Sequence, residues 1–458
     1  MNWTILKKRD FTPAVYLKIF FALAVSLTAA MAVVSNYDRH PDEHFHFEAV
    51  KYYVNHFLPP EIDDPAVRDS YSVYGVSYLN YHWAEYFFAG KFVYLLSPFV
   101  ENPFYAARFF QVFLFAGLFL WFAFRGENYE FIIPCFLLAT PQVWYVFSYV
   151  NNDAFALFIA LLAADQIARP KSLLNEFLSE EPPKNRIRGG IFFGILTGFL
   201  LIVKPNYWSF LIFAALWIIF KYPPNVRNLK RFALILLVAF GVLIFRVGLD
   251  FYVNGETNYV GFSYVHKFFG NLENKGKLAT YQESVAEYRF RSSTVENDPE
   301  NAFPEIKMRQ RGVGFFEMLF EKKWLEMSWK SFVGAYGYMN IWSSKRYYTQ
   351  IFALHLIFAI FLIYAVVKSR EKESLIQLGL MFFGCFLTVF VSMMLSWLYA
   401  FQPQGRYLFP VLPMLGLFVY ANRRHFNNFA INAFLIAAFL LSCYSFVLFG
   451  LKKINIPL

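Results

Sequence analysis

The segment NYDRHPDEHFHFEAVKYYVNHF (36–57) follows directly on a long apolar run, Ala14–Val34, and carries a dense group of ionisable side chains. They include two adjacent carboxylates, Asp42 and Glu43, and four nearby histidines, His40, His44, His46 and His56. Carboxylates beside a membrane-spanning segment are costly to place and usually have a function. The segment therefore predicts a membrane-spanning first helix that is followed by a chemically active polar loop.

The composition predicts a membrane protein. The 458 residues are 58% hydrophobic and 22% aromatic, and only 16% are charged, whereas soluble proteins carry about a quarter charged residues. The 59 Phe and 30 Tyr suit helix surfaces that face lipid and the two membrane interfaces. The net charge of +10 is scattered in short clusters between apolar segments, a pattern that sets membrane topology. We therefore expect a lipid bilayer, and no nucleic acid, as a partner.

Apolar segment length predicts an all-α polytopic protein with about eleven transmembrane helices. The predicted spans are 13–35, 104–124, 130–149, 154–168, two helices within 189–220 that are broken at 204–208, 232–249, 347–367, 375–399, 407–421 and 429–449. With a cytoplasmic N-terminus, the short inner segments together hold 18 Lys and Arg in 61 residues, whereas the short outer turns hold only Lys204 and Arg406. This asymmetry satisfies the positive-inside rule and places the loop 36–57 on the outer face.

The predicted spans divide the chain into three parts. These are an N-terminal transmembrane module at 1–249 that contains the first outer loop 36–103, a large outer loop at 250–346, and C-terminal transmembrane helices at 347–458. Counting the apolar segment 77–99 as a span would invert every later loop, so we predict a helix in the outer interface there and another at 43–56. The large outer loop should return to the bilayer through an interfacial helix at 314–332. Its charged middle, 283–312, has poor periodicity and is predicted to be a mobile flap.

Polar residues between the apolar runs cluster on the predicted outer side, which indicates one site. They include Asn152, Asp153, Gln404 and Tyr407, with the cations Arg108, Lys204 and Arg406. A carboxylate can act as a general base on a hydroxyl, and cations can hold a phosphate leaving group. We therefore predict Asp42 and Glu43 as catalytic residues, the three cations as phosphate ligands, and the other four as substrate ligands.

Each of these residues also has a structural interpretation. Asp42 could cap the N-terminus of the helix that follows it. Arg108 and Lys204 could extend to the membrane interface, and residues 404–406 could form a tight turn with Gly405 at positive φ. His40, His44 and His46 are candidate ligands for a divalent metal, although the proposed chemistry does not require one. The metal question stays open at this point.

Three stretches resemble a bacterial family that is catalogued mainly as a domain of unknown function. They are HPDEHFHFEA (40–49), SYVNNDAFA (148–156) and QGRYLFPVLP (404–413), and SFVGAYGYMNIW (331–342) is similar to a fourth motif of that family. The family is GT-C-like, and the whole arrangement resembles the GT-C superfamily of membrane glycosyltransferases. The four motifs occur in the same order and span most of the chain.

The resemblance implies a GT-C-like helical bundle with interfacial helices in the first outer loop. It also implies transfer of a sugar from a polyprenyl-phosphate donor to a glycan, lipid or protein acceptor, on the outer face of a bacterial inner membrane. Asp42 would be the base, Glu43 and Asp153 would shape the site or hold a metal, and Arg406 would bind the donor phosphate. Two alternatives remain at this stage. One is a transporter or flippase of a lipid-linked sugar, and the other is a non-catalytic scaffold.

Overall fold

The computed structural model describes residues 15–81, 83–125, 131–179, 187–257 and 276–456. The predicted N-terminal inner segment, most of the inner segment at 125–129 and part of the large outer loop lie outside these residues. The described chain is helical apart from turns and one short antiparallel ladder, in which β1 (Ala335–Tyr336) pairs with β2 (Ile341–Trp342). The all-α class predicted from the sequence is confirmed.

Nineteen α-helices occur in the described residues. In chain order they are α1 (Val15–Val34), α2 (Glu43–Asn55), α3 (Tyr78–Tyr81), α4 (Trp83–Leu96), α5 (Pro103–Arg125), α6 (Ile132–Cys135), α7 (Pro141–Val146), α8 (Asp153–Ala168), α9 (Leu173–Leu178), α10 (Ile187–Val203), α11 (Trp208–Lys221), α12 (Val226–Asn254), α13 (Lys277–Val285), α14 (Ser292–Asn297), α15 (Trp324–Gly334), α16 (Lys345–Ser369), α17 (Lys372–Leu398), α18 (Val411–Ala421) and α19 (Asn428–Ser445). Short 3₁₀ and π turns join or extend several of them.

Six helical segments of the described chain are long and apolar enough to cross a membrane. They are Val15–Val34, Pro103–Phe124, Val226–Asn254, Lys345–Ser369, Lys372–Leu398 and Asn428–Leu451. Two further apolar helices, Ile187–Val203 and Gly405–Ala421, are shorter. The protein is therefore an integral membrane protein by the length and composition of its helices. The count of eleven spans is not supported, because several predicted spans are short or interrupted.

The predicted helix at 130–149 is wrong as a continuous span. The chain there forms α6, a 3₁₀ turn at Phe136–Ala139 and then α7. Thr140 lies between them in an extended conformation, and its hydroxyl accepts a hydrogen bond from the Gln142 amide at 3.3 Å. The cause is Pro141, whose ring disfavours helical backbone at the preceding residue and favours a new helix start.

Other predicted boundaries agree more closely with the structure. The predicted break at 204–208 is confirmed, since α10 ends at Val203 and α11 begins at Trp208. α12 extends to Asn254, so it enters the predicted outer loop. Helices also occupy the two segments predicted as interfacial in the first outer loop, namely α2 and, within 77–99, α3 and α4.

The middle of the large outer loop is folded, which corrects the predicted flap. It contains the end of α13 and all of α14, and its end runs antiparallel to the turn after α17. There the Lys307 amide donates to the Tyr399 carbonyl at 2.8 Å, and the Phe401 amide donates to the Glu305 carbonyl at 2.7 Å. Backbone pairing needs no apolar periodicity, which is why the sequence pattern did not reveal it.

The turns that were predicted to be outer meet at one end of the helical bundle, which we call the site end. α8 is buried along nearly its whole length and begins at the site end with Asp153. Lys204, between α10 and α11, contacts Asp153 there. Asn254, at the end of α12, donates to the Pro60 carbonyl at 3.2 Å. The fold therefore gathers the polar turns of distant helices around the start of a central, buried helix.

Candidate functional site

A cavity of about 200 Å³ opens at the site end and contains residues from both halves of the chain. Five of the predicted catalytic, phosphate-binding and substrate-binding residues line it: Asp42, Asn152, Lys204, Arg406 and Tyr407. The first outer loop supplies Asp42, whereas Arg406 and Tyr407 come from the short turn before α18. The cavity thus combines a carboxylate with three cations in one small space, because Lys307 of the large outer loop lines it together with Lys204 and Arg406.

Asp42 has a backbone conformation that leaves its carboxylate available to the cavity. Its φ of 58° is left-handed, a conformation that Asp tolerates better than most residues. Its carbonyl accepts a hydrogen bond from the His46 amide at 3.1 Å, but its side chain makes no capping bond. The carboxylate instead accepts a hydrogen bond from the Tyr78 hydroxyl at 3.1 Å. Asp42 therefore occupies the N-cap position of α2, but its side chain does not cap the helix.

Lys204 is buried beside the first turn of α8. Its ammonium contacts the Asp153 carboxylate and donates to the Asn152 side-chain oxygen at 3.2 Å. It also lies 5.3 Å from the centre of the Tyr407 ring. Burial is the main reason that the pKa of Lys204 falls to about 8, and Arg406 lowers it further while Asp153 opposes the change. Lys204 is therefore a cation whose charge depends on pH in an accessible range.

Arg406 lies on the other side of Asp153. Its Nε donates to the Gln404 side-chain oxygen at 2.6 Å, and one Nη donates to the Tyr149 hydroxyl at 3.3 Å. The Nε lies 3.6 Å from the second oxygen of Asp153. Asp153 therefore lies between two cations and partly neutralises both.

The turn that carries Arg406 packs tightly against α15. The Gly405 amide donates to the Ser331 hydroxyl at 2.7 Å, and that hydroxyl donates to the Pro403 carbonyl at 3.1 Å. A Cβ on Gly405 would lie 2.0 Å from the Phe332 backbone nitrogen. Glycine is therefore required by this close approach, and Gly405 does not have the positive φ that was expected.

Glu43 and Arg108 form a separate, fully buried ion pair. Arg108 Nε donates to one oxygen of Glu43 at 2.8 Å, and an Nη donates to the other at 2.6 Å. Further guanidinium N–H groups donate to the carbonyls of Ala32 and Ser35 at 2.9 and 2.6 Å. Burial raises the pKa of Glu43, and the Arg108 interaction opposes this. This geometry joins α1, α2 and α5, and it places neither side chain in the cavity.

The three histidines that were considered as metal ligands contact different tyrosines. His40 Nδ1 lies 2.8 Å from the Tyr145 hydroxyl, and burial holds the pKa of His40 well below its usual value. The Nδ1 atoms of His44 and His46 lie 2.6 Å from the hydroxyls of Tyr37 and Tyr86, respectively. Among the described residues, no three His, Cys, Asp or Glu side chains are grouped as metal ligands. Only His46 of the three histidines lines the cavity.

Sequence reasoning missed several cavity residues. Tyr78 comes from the segment 77–99, whose mixture of aromatic and polar residues predicts an interfacial helix but does not indicate a cavity residue. The large outer loop contributes Phe290, Ser292, Ile306 and Lys307. No sequence pattern pointed to this loop as a cavity wall, because its contacts depend on backbone pairing with the segment after α17.

Comparisons of this chain with protein-family models, curated proteins and solved structures found no match.

Proposed function

We propose that this protein is a membrane glycosyltransferase that moves a sugar from a polyprenyl-phosphate donor to an acceptor hydroxyl. The observation that carries the proposal is the single cavity that Asp42 shares with Lys204 and Arg406. Sugar transfer from a lipid phosphate requires a base for the acceptor and cations for the leaving phosphate. The cavity supplies both kinds of group.

In this proposal Asp42 is the general base. It accepts the proton of the acceptor hydroxyl, whose oxygen attacks the anomeric carbon of the donor sugar. The bond between that carbon and the phosphate oxygen breaks, and polyprenyl phosphate leaves with the bonding electron pair. A single displacement of this kind inverts the anomeric configuration. The hydrogen bond from Tyr78 supports the role because it orients one carboxylate oxygen and leaves the other for the acceptor.

Lys204 and Arg406 hold the donor phosphate. Arginine has five N–H donors, so the bonds to Gln404 and Tyr149 leave capacity for bidentate contact with a phosphate. Lys204 acts as a point charge beside it. Asp153 positions both cations when the donor is absent, while Asn152 and Tyr407 border the same space and contact the donor or acceptor.

Glu43 and Arg108 have structural roles in this proposal. Their side chains satisfy each other and the carbonyls at the end of α1, so neither has a direct path to substrate. A buried ion pair of this kind fixes the relative positions of the elements that it joins. It therefore holds the start of α2, and with it Asp42, against the membrane helices.

The proposed membrane arrangement places the site end on the outer face, with a cytoplasmic N-terminus. The positive-inside asymmetry of the sequence supports this orientation. The polyprenyl chain would lie against the apolar helices while the sugar phosphate enters the cavity. We further propose that the bundle is GT-C-like and that the membrane is a bacterial inner membrane, on the basis of the four motifs.

The test is sugar transfer in reconstituted vesicles that contain a panel of polyprenyl-phosphate sugars and envelope glycans as acceptors. We expect Asp42→Asn to lower the transfer rate by about 10²–10⁴-fold, the usual contribution of a general base. Asp63→Asn, which changes an exposed carboxylate of the same loop, is the matched control and should transfer at the wild-type rate. Equal rates for Asp42→Asn and wild type would remove Asp42 as the base.

The same vesicles distinguish transfer from transport. A transporter or flippase would move the labelled donor between leaflets without forming a glycosylated acceptor. If wild-type protein moves the donor across the bilayer and no acceptor is labelled, the proposed reaction is wrong.

A further inference from the structure

A second cavity, of about 520 Å³, lies between α15 and the start of α16. Its lining includes Glu326, Trp329, Lys330, Trp342, Lys345 and Phe352, none of which lines the candidate active site. We call it the α15–α16 groove. Small-molecule sites commonly enclose about 300–1,000 Å³, so the groove is large enough for a ligand of that class.

The groove has a surplus of positive charge. Lys330 pairs with Glu326, which leaves Lys345 as the uncompensated charge among the three charged side chains in the lining. Lys345 is exposed and is the first residue of α16. A cation in the first turn adds to the positive end of the helix dipole, so both favour an anion at this position. The net charge of +1 on the lining complements the single negative charge of a phosphodiester group.

An apolar surface continues from the groove along α16. Phe352 lines the groove, and Leu356 and Ile360 follow on the same face at intervals of four residues. Their side chains are 51%, 48% and 56% exposed, respectively, and α16 is long and apolar enough to cross a membrane. A ligand for this surface has an anionic head at the end of the helix and an apolar tail along it.

We propose that the α15–α16 groove binds an anionic phospholipid of the surrounding bilayer, with its phosphodiester against Lys330 and Lys345. One acyl chain lies along Phe352, Leu356 and Ile360. The proposal does not depend on sugar transfer. It has a structural consequence, because α15 also carries Ser331, which holds the turn of Arg406 through the Gly405 amide. The bound lipid therefore stabilises α15, against which the turn that carries Arg406 packs.

Native mass spectrometry of the purified full-length protein tests the proposal. The protein is exchanged into detergent with phosphatidylglycerol or phosphatidylcholine, and the retained lipid is counted. We expect at least threefold more retained phosphatidylglycerol, and loss of that excess in the variant K330Q/K345Q. The variant K322Q/K323Q removes two exposed lysines outside the groove and should retain lipid like wild type. K330R/K345R keeps both charges and should also retain it, which separates loss of binding from misfolding.

Several outcomes would overturn the proposal. Equal retention of the two phospholipids would show that charge does not select the ligand. Equal loss in K330Q/K345Q and K322Q/K323Q would place the lipid elsewhere. Displacement by glycerol phosphate at the same concentration as the lipid would indicate a soluble phosphate ligand. Displacement by polyprenyl phosphate at a tenfold lower concentration would assign the groove to the sugar donor.

Discussion

Asp42 and Glu43 are neighbours in the sequence, but their carboxylates occupy opposite environments. Asp42 borders the cavity and accepts a hydrogen bond from Tyr78. Glu43 is fully buried and bonded through both oxygens to Arg108. The two residues straddle the start of α2, where the backbone changes from left-handed to helical and directs successive side chains apart.

The comparison distinguishes a carboxylate that is open to the cavity from a neighbouring carboxylate that is buried in an ion pair. An acidic residue that serves as a base needs access to substrate, whereas a fully buried carboxylate that is paired with arginine has no such access. The same distinction applies to the cations, since Arg406 lies in the cavity while Arg108 lies in the buried pair. In each case two side chains of the same charge differ in the partners that surround them.

The largest effect is expected at the buried pair. Glu43→Gln leaves Arg108 buried without its counter-charge, and we expect the free energy of unfolding to fall by about 3–5 kcal/mol. Denaturant titration of the purified protein in detergent micelles measures this change. The double substitution Glu43→Met with Arg108→Met should recover much of the loss, because it removes both charges. A wild-type unfolding curve for Glu43→Gln would contradict the structural role.

The next effect is on donor binding at Arg406. If Arg406 binds the donor phosphate as proposed, Arg406→Ala removes a charge-assisted contact worth about 1.5–3 kcal/mol, so donor affinity should fall roughly 10- to 100-fold. Equilibrium binding of a labelled polyprenyl-phosphate sugar measures the affinity. Arg68→Ala, on an exposed part of the first outer loop, should bind donor normally. Unchanged donor affinity in Arg406→Ala would show that the donor phosphate binds elsewhere in the cavity.

A smaller effect follows from the pKa of Lys204, which burial lowers to about 8. The side chain is charged below that pH and neutral above it, so donor affinity should decline as the pH rises through about 8. Lys204→Arg keeps its charge and should hold donor affinity constant up to about pH 10. Affinity that falls equally in wild type and Lys204→Arg would assign the titration to another group.

The smallest effect is expected at His44, which was a candidate metal ligand. His44 contacts Tyr37 away from the cavity, so His44→Asn should change stability by about 0.5 kcal/mol or less and leave transfer intact. The measurements are an unfolding titration and the vesicle transfer assay. If His44→Asn abolished transfer and added divalent metal restored it, the result would support His44 as a metal ligand.

The sequence predicted the membrane class, the break at Lys204 and the membership of five cavity residues. It succeeded because apolar length and the alternation of charge follow the helices directly. It could not separate Asp42 from Glu43, since adjacent carboxylates look alike until the backbone turn at Asp42 is known. It also misread 130–149 as one helix, because its apolar composition outweighed the local signal of Pro141.

The sequence did not predict that the large outer loop forms a wall of the cavity. Lys307 reaches the cavity because its backbone pairs with Tyr399, far along the chain. Such pairing depends on backbone groups that every residue carries, so composition does not reveal it. Tyr78 is similar, since only the folded loop brings its hydroxyl to Asp42.

The most direct test of the central claim compares Asp42→Asn with Glu43→Gln in the same vesicles, with transfer rates normalised to the folded fraction of each protein. We predict that Asp42→Asn is fully folded and transfers about 100-fold more slowly or worse, as expected for a lost general base. Glu43→Gln should be less stable but should lose much less of the transfer rate per folded molecule than Asp42→Asn, because it affects Asp42 only through the position of α2. The reverse result, a stable and inactive Glu43→Gln beside an active Asp42→Asn, would contradict the account.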